Sequence, residues 1–304
     1  MKINKITIKP YHMIILCCVV LGMTGCDSKE TFIPVERESL SMVLFGESVQ
    51  ESISQKETTL PSPGNISMEN LLLTALEPVG RTMYVWGGGW NEEDTGAGIP
   101  ALSFGVSTAW GEFAKKQDST YNYKETEYQI NDGLDCSGYI GWLIYNVFET
   151  KESTVSTDGY VFPSSQMAEK FAEEGWGECI SASAGVWKPG DICSMPGHVW
   201  LSLGMCEDGS VVVLHASPPG VRLCGTRLAN GEKSEAVQLA EEYMEKHYPE
   251  WYAKYPACDV SYNYLTKSKV FRWSAETMTD VDDWENLSAE DVLKNLYENT
   301  KWEK

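Results

Sequence analysis

The sequence is short of basic residues and histidines, and its cysteines form no paired motif. Lysine and arginine number 24 against 44 aspartates and glutamates, which gives a formal net charge of −20 over 304 residues. Because duplex DNA and tRNA are bound by neutralising their phosphates, this deficit argues against a nucleic-acid partner. The nine cysteines contain no Cys-x-x-Cys pair, which argues against the common zinc and dithiol-redox motifs. Any cysteine with a chemical role is therefore expected to act singly.

Long apolar runs are also lacking. The run over residues 13–23 is too short to cross a bilayer as a helix. It follows a lysine-containing start and precedes Gly25-Cys26, the order of a charged region, an apolar region and a small-residue cleavage site. Residues 1–25 thus resemble a bacterial lipoprotein signal peptide, in which Cys26 is acylated and becomes the first residue of the mature chain.

This signal predicts an extracytoplasmic protein of the cell envelope, held to a membrane by the lipid on Cys26. Residues 26–66 are rich in serine, threonine, glutamate and proline and show little sustained hydrophobic period. Such a composition is typical of a flexible tether. An N-terminal arm packed on the folded domain is the alternative.

The remainder of the chain predicts a mixed α+β fold. Hydrophobic residues make up 42% of the sequence, enough to bury a sizeable core. Helical periods and N-cap residues predict four helices, at about 68–77, at 139–148, from about 234 and after Ser288. Apolar alternation on both sides of a Glu-Asp-Gly turn predicts a pair of antiparallel strands. These strands cover about 199–203 and 211–214, and a last strand is predicted at 269–273.

Cys136 lies at the head of the predicted buried helix. Asp135, directly before it, is a good N-cap residue, so the thiol falls in the first turn. There the unpaired N–H groups and the positive end of the helix dipole favour a thiolate, and the same N–H groups can stabilise an oxyanion. A cysteine at such a place is more often a small buried residue, so the interpretation depends on a base being nearby.

Two of the four histidines belong to the predicted pair of strands. His198 opens the first strand and His215 ends the second. An imidazole beside Cys136 can accept the thiol proton and later protonate a leaving amine, while a second polar group orients it. A metal site built from the same three residues is disfavoured, because no fourth ligand is placed nearby. No metal and no other cofactor is expected, and His247 is interpreted as an ordinary, partly exposed residue.

Six short segments follow one another in an ordered set between about residues 67 and 273. They are Tyr84-Val85-Trp86-Gly87-Gly88, Asp135-Cys136-Ser137-Gly138-Tyr139, Phe162-Pro163-Ser164-Ser165-Gln166, Lys188-Pro189-Gly190-Asp191, His198-Val199 and Leu214-His215-Ala216-Ser217. Each segment alone is a weak signal, but the ordered set is specific. It resembles the NlpC family of bacterial cell-wall cysteine endopeptidases.

The resemblance implies a papain-like domain over residues 67–275, in which a buried helix carries the nucleophile at its N-terminus against a central antiparallel sheet. Cys136 would be the nucleophile, His198 the general base and acid, and His215 the residue that orients His198. The reaction would be hydrolysis of the γ-D-glutamyl bond to a diamino acid in peptidoglycan stem peptides. We expect the protein to be a monomer.

Substrate contacts are implied by the same resemblance. Tyr84 would lie near the nucleophile, and Asp135 and Ser137 would contact the D-glutamyl part of the substrate. The chain departs from the family at Trp200, where relatives carry glycine. Strand alternation puts Trp200 on the face used by His198, so the bulky ring is expected to line the substrate groove, with a buried core position as the alternative.

Three stretches lie outside the family pattern. Residues 89–134 and about 224–263 are predicted insertions, and residues 276–304 are predicted to form a C-terminal helical tail. Either insertion could reshape the substrate site or be a surface elaboration. Two further functions remain open: a CHAP-like peptidoglycan amidase with a similar order of cysteine and histidine, and a non-catalytic lipoprotein that binds stem peptides.

The anchor gives a first prediction. Expressed with its signal, the protein should partition with membranes, and Cys26→Ser should release it or leave it unprocessed, because acylation needs the sulfur. Fractionation and the mass of the N-terminal peptide measure this, with Cys179→Ser as the matched control that stays with the membrane. An unmodified Cys26 in the mature wild-type protein would contradict the prediction.

Overall fold

The computed structural model describes residues 60–152, 158–182 and 185–300. The predicted signal peptide, the acylation site at Cys26 and the tether up to residue 59 lie outside the described residues. Within these ranges, no helix is both long enough and apolar enough to cross a membrane.

Helices and strands alternate irregularly along the chain, as in an α+β fold. The helices are α1 (Met68–Leu76), α2 (Thr108–Lys115), α3 (Cys136–Phe148), α4 (Met167–Glu173), α5 (Glu235–His247), α6 (Pro249–Lys254), α7 (Asn263–Lys267) and α8 (Ala289–Glu298). The strands are β1 (Met83–Tyr84), β2 (Gly133–Leu134), β3 (Gly177–Ser181), β4 (Ile192–Met195), β5 (His198–Met205), β6 (Val211–Ser217), β7 (Gly220–Thr226), β8 (Asp259–Val260) and β9 (Lys269–Trp273).

The strands form one curled, mostly antiparallel sheet. Their order is β2-β1-β7-β6-β5-β4-β9-β3, and β8 pairs with β7. Only the short pairs β1–β2 and β7–β8 are parallel among the described strands. The central strands β5, β6 and β7 follow one another through tight turns, which confirms the predicted pair of antiparallel strands and adds a third.

Helix α3 is the buried centre of the fold, as its apolar sequence predicts. The Asp135 carboxylate accepts a hydrogen bond from the Gly138 N–H at 2.7 Å and so caps the helix. The helix packs against α1 and against strands β5 and β6. The Tyr139 hydroxyl donates to the Ala75 carbonyl of α1 at 2.8 Å, which satisfies a polar group inside the core.

The other predicted helices also form. Helix α1 ends one residue before the predicted limit, and Ser234 and Ser288 cap α5 and α8 as expected. Helix α8 buries Val292, Leu293 and Leu296 in the main core, so the predicted C-terminal tail is an integral part of the domain from residue 276 to 300.

The end of the predicted tether also touches the domain. The Asn70 side chain of α1 accepts from the Ser62 N–H at 2.8 Å and donates to the carbonyls of Ser62 and Asn65. Residues 60–66 therefore behave as the packed arm that was the alternative.

The two predicted insertions contain regular structure and contact each other. Residues 89–134 include α2, and the second insertion begins after Thr226, because residue 224 lies inside β7. Lys254 donates to the Gln117 carbonyl at 2.9 Å, and the Tyr255 hydroxyl donates to the Asp118 carbonyl at 2.6 Å. These two hydrogen bonds join the segments to each other.

Trp200 requires a correction. Alternation along β5 does put it on the face that His198 uses, opposite the core that holds Val199. However, Trp200 is fully buried, stacks on Trp187 at 5.4 Å between ring centroids and donates its indole N–H to Ser268 Oγ at 3.1 Å. A ring without exposed surface cannot line a groove, so Trp200 is a core residue of the second hydrophobic cluster.

This burial predicts a stability effect. Trp200→Ala should lower the free energy of unfolding by about 3–5 kcal/mol, since it removes a large buried ring and leaves a cavity. Trp86→Ala, which removes a ring that is 46% exposed, should change it by only about 0.5 kcal/mol. Denaturant unfolding of both variants measures the difference, and equal effects would contradict the assignment of Trp200 to the core.

Candidate active site

The thiol of Cys136 lies at the point where α3 meets strand β5. Cys136 is the first residue of α3 and is 6% exposed. The N–H of Val199 hydrogen-bonds to its sulfur, as does backbone of the first helical turn. Val199 directly follows His198 along β5. This contact therefore places the start of β5, where His198 lies, beside the thiol.

The two histidines meet across the sheet. Nε2 of His198 lies 3.0 Å from Nδ1 of His215, and the ring planes are 77° apart. Strands β5 and β6 are antiparallel neighbours, which brings the first residue of one close to the end of the other. The structure thus brings His198 and His215 together and sets the backbone of the next residue, Val199, against the Cys136 sulfur.

The His198–His215 contact also limits which nitrogen of His198 can exchange a proton. Since Nε2 of His198 is engaged with His215, Nδ1 is its remaining ring nitrogen. In the tautomer in which His198 donates its Nε2 proton to His215, Nδ1 carries the lone pair and is available to accept a proton. His215 then holds its own proton on Nε2, which is buried without a hydrogen-bond partner among the described residues.

Burial sets the charge states of Cys136 and His198. Burial, together with the neighbouring Asp135 carboxylate, raises the pKa of the Cys136 thiol to about 12. Burial and the Arg222 cation lower the pKa of His198 to about 4. The resting pair is therefore a neutral thiol and a neutral imidazole. This differs from the thiolate expected at a helix N-terminus, because desolvation outweighs the dipole and the N–H contacts.

Arg222 is a charged residue that the sequence reasoning missed. It lies on β7 in register with His215 and is only 7% exposed. One guanidinium nitrogen donates to the carbonyls of Ser217 at 2.6 Å and Gly220 at 3.3 Å, but no carboxylate of the described chain pairs with it. The sequence did contain a signal for Arg222, namely an arginine inside the apolar run of a central strand. Burying a charge without a partner of opposite charge costs free energy, so such a residue calls for an explanation.

Tyr264 of α7 is a second missed neighbour. Its ring lies 5.5 Å from that of His198 between centroids, and its hydroxyl is 3.5 Å from Nδ1 of His215. It also packs on Trp200. Tyr264 follows the second predicted insertion in the chain, and no local pattern marked it as part of the site.

The expected substrate contacts are close to the thiol but mostly enclosed. Tyr84 is buried, and its pKa is raised by burial and by the nearby Cys136 and Asp135. Ser137 donates to the Asp135 carboxylate at 3.0 Å and accepts from the Trp90 indole at 3.1 Å. Burial raises the pKa of Asp135 to about 6, although several N–H and O–H donors oppose that shift. The side chains of Asp135 and Ser137 thus already have hydrogen-bond partners within the protein.

The remaining cysteines do not form a further centre in the described ranges. The six cysteines there are free thiols, and only Cys179 is exposed. Across residues 60–152, 158–182 and 185–300, no group of three or more histidine, cysteine or carboxylate side chains is placed to hold a metal ion.

Comparisons with protein-family models, with curated proteins and with solved structures found no match for this chain. The site is therefore interpreted from its own geometry and from the sequence motifs that form it.

The position of Arg222 predicts a shift in the titration of His198. Arg222→Met removes a cation that disfavours the imidazolium, so the pKa of His198 should rise from about 4 while staying below about 6.5, because burial remains. NMR of the ring protons against pH measures this. Arg227→Met, at a cation paired with Asp259, is the control that leaves His198 unchanged. A midpoint that stays or falls in the Arg222 variant would contradict the account.

Proposed function

We propose that this protein is a cell-envelope cysteine endopeptidase of the NlpC type, which hydrolyses peptidoglycan stem peptides at the γ-D-glutamyl to diamino acid bond. The observation that carries the proposal is the 3.0 Å contact between His198 and His215 beside a thiol at the head of a buried helix. A nucleophilic helix N-terminus set against an antiparallel sheet that carries the base and its orienting residue is the papain-like arrangement.

The first step joins proton transfer to attack. Nδ1 of His198 takes the proton of the Cys136 thiol while the sulfur attacks the γ-carbonyl carbon of the D-glutamyl residue. The negative charge that develops on the carbonyl oxygen is stabilised by the backbone N–H of Cys136 at the start of α3. The imidazolium then protonates the departing amine of the diamino acid, and a thioester is left on Cys136.

Water completes the reaction. His198, neutral again, accepts a proton from a water molecule that attacks the thioester carbonyl, and Cys136 leaves as the thiol. The low pKa of His198 keeps it in the base form through the neutral range. The high pKa of the thiol means that the thiolate is formed only as it reacts, which protects it from oxidants outside the cytoplasm.

Charge and anchoring fit this role. A chain with a net charge of −20 does not hold anionic wall polymers by electrostatic attraction. In this proposal the lipid predicted on Cys26 supplies proximity to the wall instead.

The non-catalytic alternative has one observation in its favour. A thiol that is 6% exposed with a raised pKa is also what an inert structural cysteine shows. In that case the same groove binds stem peptides without cutting them. The amidase alternative differs in the bond that is cut, so the amine that is freed identifies it.

The catalytic proposal predicts how much hydrolytic activity each variant loses. Cys136→Ala should abolish hydrolysis, and His198→Ala should reduce it almost as far. His215→Asn should be milder than His215→Ala, because an amide oxygen can still accept the orienting hydrogen bond from Nε2–H of His198. Mass analysis of muropeptides digested by the mature protein measures this, and a freed amine on the diamino acid identifies the endopeptidase.

Cys179→Ala is the control for this series, since Cys179 is an exposed free thiol of β3. It should keep full activity. Most activity retained in Cys136→Ala would refute the assignment of the nucleophile, and binding of stem peptides without any cleavage would support the non-catalytic alternative.

A further inference from the structure

Two large aromatic rings are exposed beside the candidate active site. Trp86 is 46% exposed and Tyr128 is 60% exposed, whereas Tyr262 is the one other aromatic residue among those described that is exposed. The N–H of Tyr128 donates to the carbonyl of Trp86 at 2.8 Å, so the two side chains start from paired backbone positions. Neither ring contributes to the core, and the proposed reaction steps do not use them.

The backbone that carries the rings is tightly constrained. Gly87 has a φ of +81°, and a Cβ there would lie 2.8 Å from the ring of Tyr128. Tyr128 itself has a φ of 61°, a left-handed conformation that is rare for a bulky side chain. The surrounding contacts keep Tyr128 in this conformation and hold its ring over Gly87.

The same loop is fixed to the helix that carries the nucleophile. The N–H of Asp135 donates to the Gly88 carbonyl at 2.9 Å, and the Asp135 carboxylate accepts from the Gly87 N–H. A Cβ on Gly138 would come within 2.0 Å of the Gly88 oxygen, so loop and helix meet backbone to backbone. The loop backbone that carries Trp86 therefore keeps a fixed position relative to the start of α3.

We propose that Trp86 and Tyr128 form a stacking surface for an N-acetylated sugar ring of the glycan to which the stem peptide is attached. The inference rests on the proposed function and deepens it. Aromatic faces bind sugars through the C–H groups on one face of the pyranose ring, while the indole N–H and phenol O–H serve the hydroxyls at its edge. A neutral N-acetyl sugar is also compatible with a strongly acidic protein, whereas an anionic polymer is not.

The proposal requires a short span between the sugar and the bond that is cut. Two residues, L-alanine and D-glutamate, separate the lactyl group of the sugar from that bond, and two extended residues span about 7 Å. Trp86 belongs to the same short segment as Tyr84, which lies near Cys136. The enzyme should accordingly prefer stems that are still attached to glycan over free peptides.

Binding of sugar is tested without catalysis. The Cys136→Ala protein should show saturation-transfer NMR signals with the peptide-free disaccharide of N-acetylglucosamine and N-acetylmuramic acid, its lactyl carboxyl capped as an amide so that the probe is neutral. Trp86→Ala in the same background should abolish these signals, and Trp86→Phe should retain them because an aromatic face remains. Trp86→Leu, which keeps an apolar side chain but no ring, should behave like alanine.

The kinetic arm compares two substrates with one peptide sequence, the disaccharide tetrapeptide and the free tetrapeptide. Trp86→Ala should lower kcat/KM for the glycan-linked substrate by about tenfold and leave that for the free peptide unchanged, as expected when one stacking contact is lost. Val281→Ala, at a residue that is 89% exposed and far along the chain from the loop, is the control that changes neither.

The outcomes separate the two proposals. Disaccharide binding without hydrolysis of either substrate would overturn the proposed function and support the sugar site. Hydrolysis of both substrates with no disaccharide signal, or an equal loss on both in Trp86→Ala, would overturn the sugar site and leave the endopeptidase standing.

Discussion

The candidate site depends on the hydrogen bonds that the buried Asp135 carboxylate accepts. This carboxylate caps α3 through the Gly138 N–H, accepts the Ser137 hydroxyl and accepts the Gly87 N–H of the preceding loop. One buried group therefore fixes the start of the helix, the direction of the first turn and the loop that bears Trp86. Burial of the Asp135 carboxylate costs free energy, and its raised pKa reflects that cost. Away from water, only those donors stabilise the negative charge.

The electrostatics of the site follow from the same burial. A helix N-terminus favours a thiolate, but Cys136 is enclosed and lies next to a carboxylate, so the thiol stays neutral. His198 and His215 are enclosed beside the unpaired cation of Arg222, so they stay neutral as well. The proposed chemistry thus begins from an uncharged pair, in which orientation by the second imidazole matters more than a preformed ion pair.

Much of the fold follows from local patterns. The helices at 68–76 and 289–298 were predictable because a serine cap precedes an apolar stripe, and the β5–β6 pair because apolar alternation brackets a turn. Trp200 shows the limit of that reasoning. Alternation gives the face on which a side chain lies, but whether that face is open to solvent depends on Trp187 and on Ser268, which are distant in sequence.

Local patterns in the chain mark the residues available for chemistry: one cysteine after an N-cap aspartate, and two histidines in paired strands. These features are local, because capping and strand period act over a few residues. Four relations arise from long-range packing instead: the enclosure of the thiol, the position of Arg222 across from His215, the approach of Tyr264 to the histidine pair and the position of Tyr128 beside Trp86. Those relations join segments far apart in the chain, and desolvation, which sets the charges, depends on everything packed around a group rather than on its neighbours in sequence.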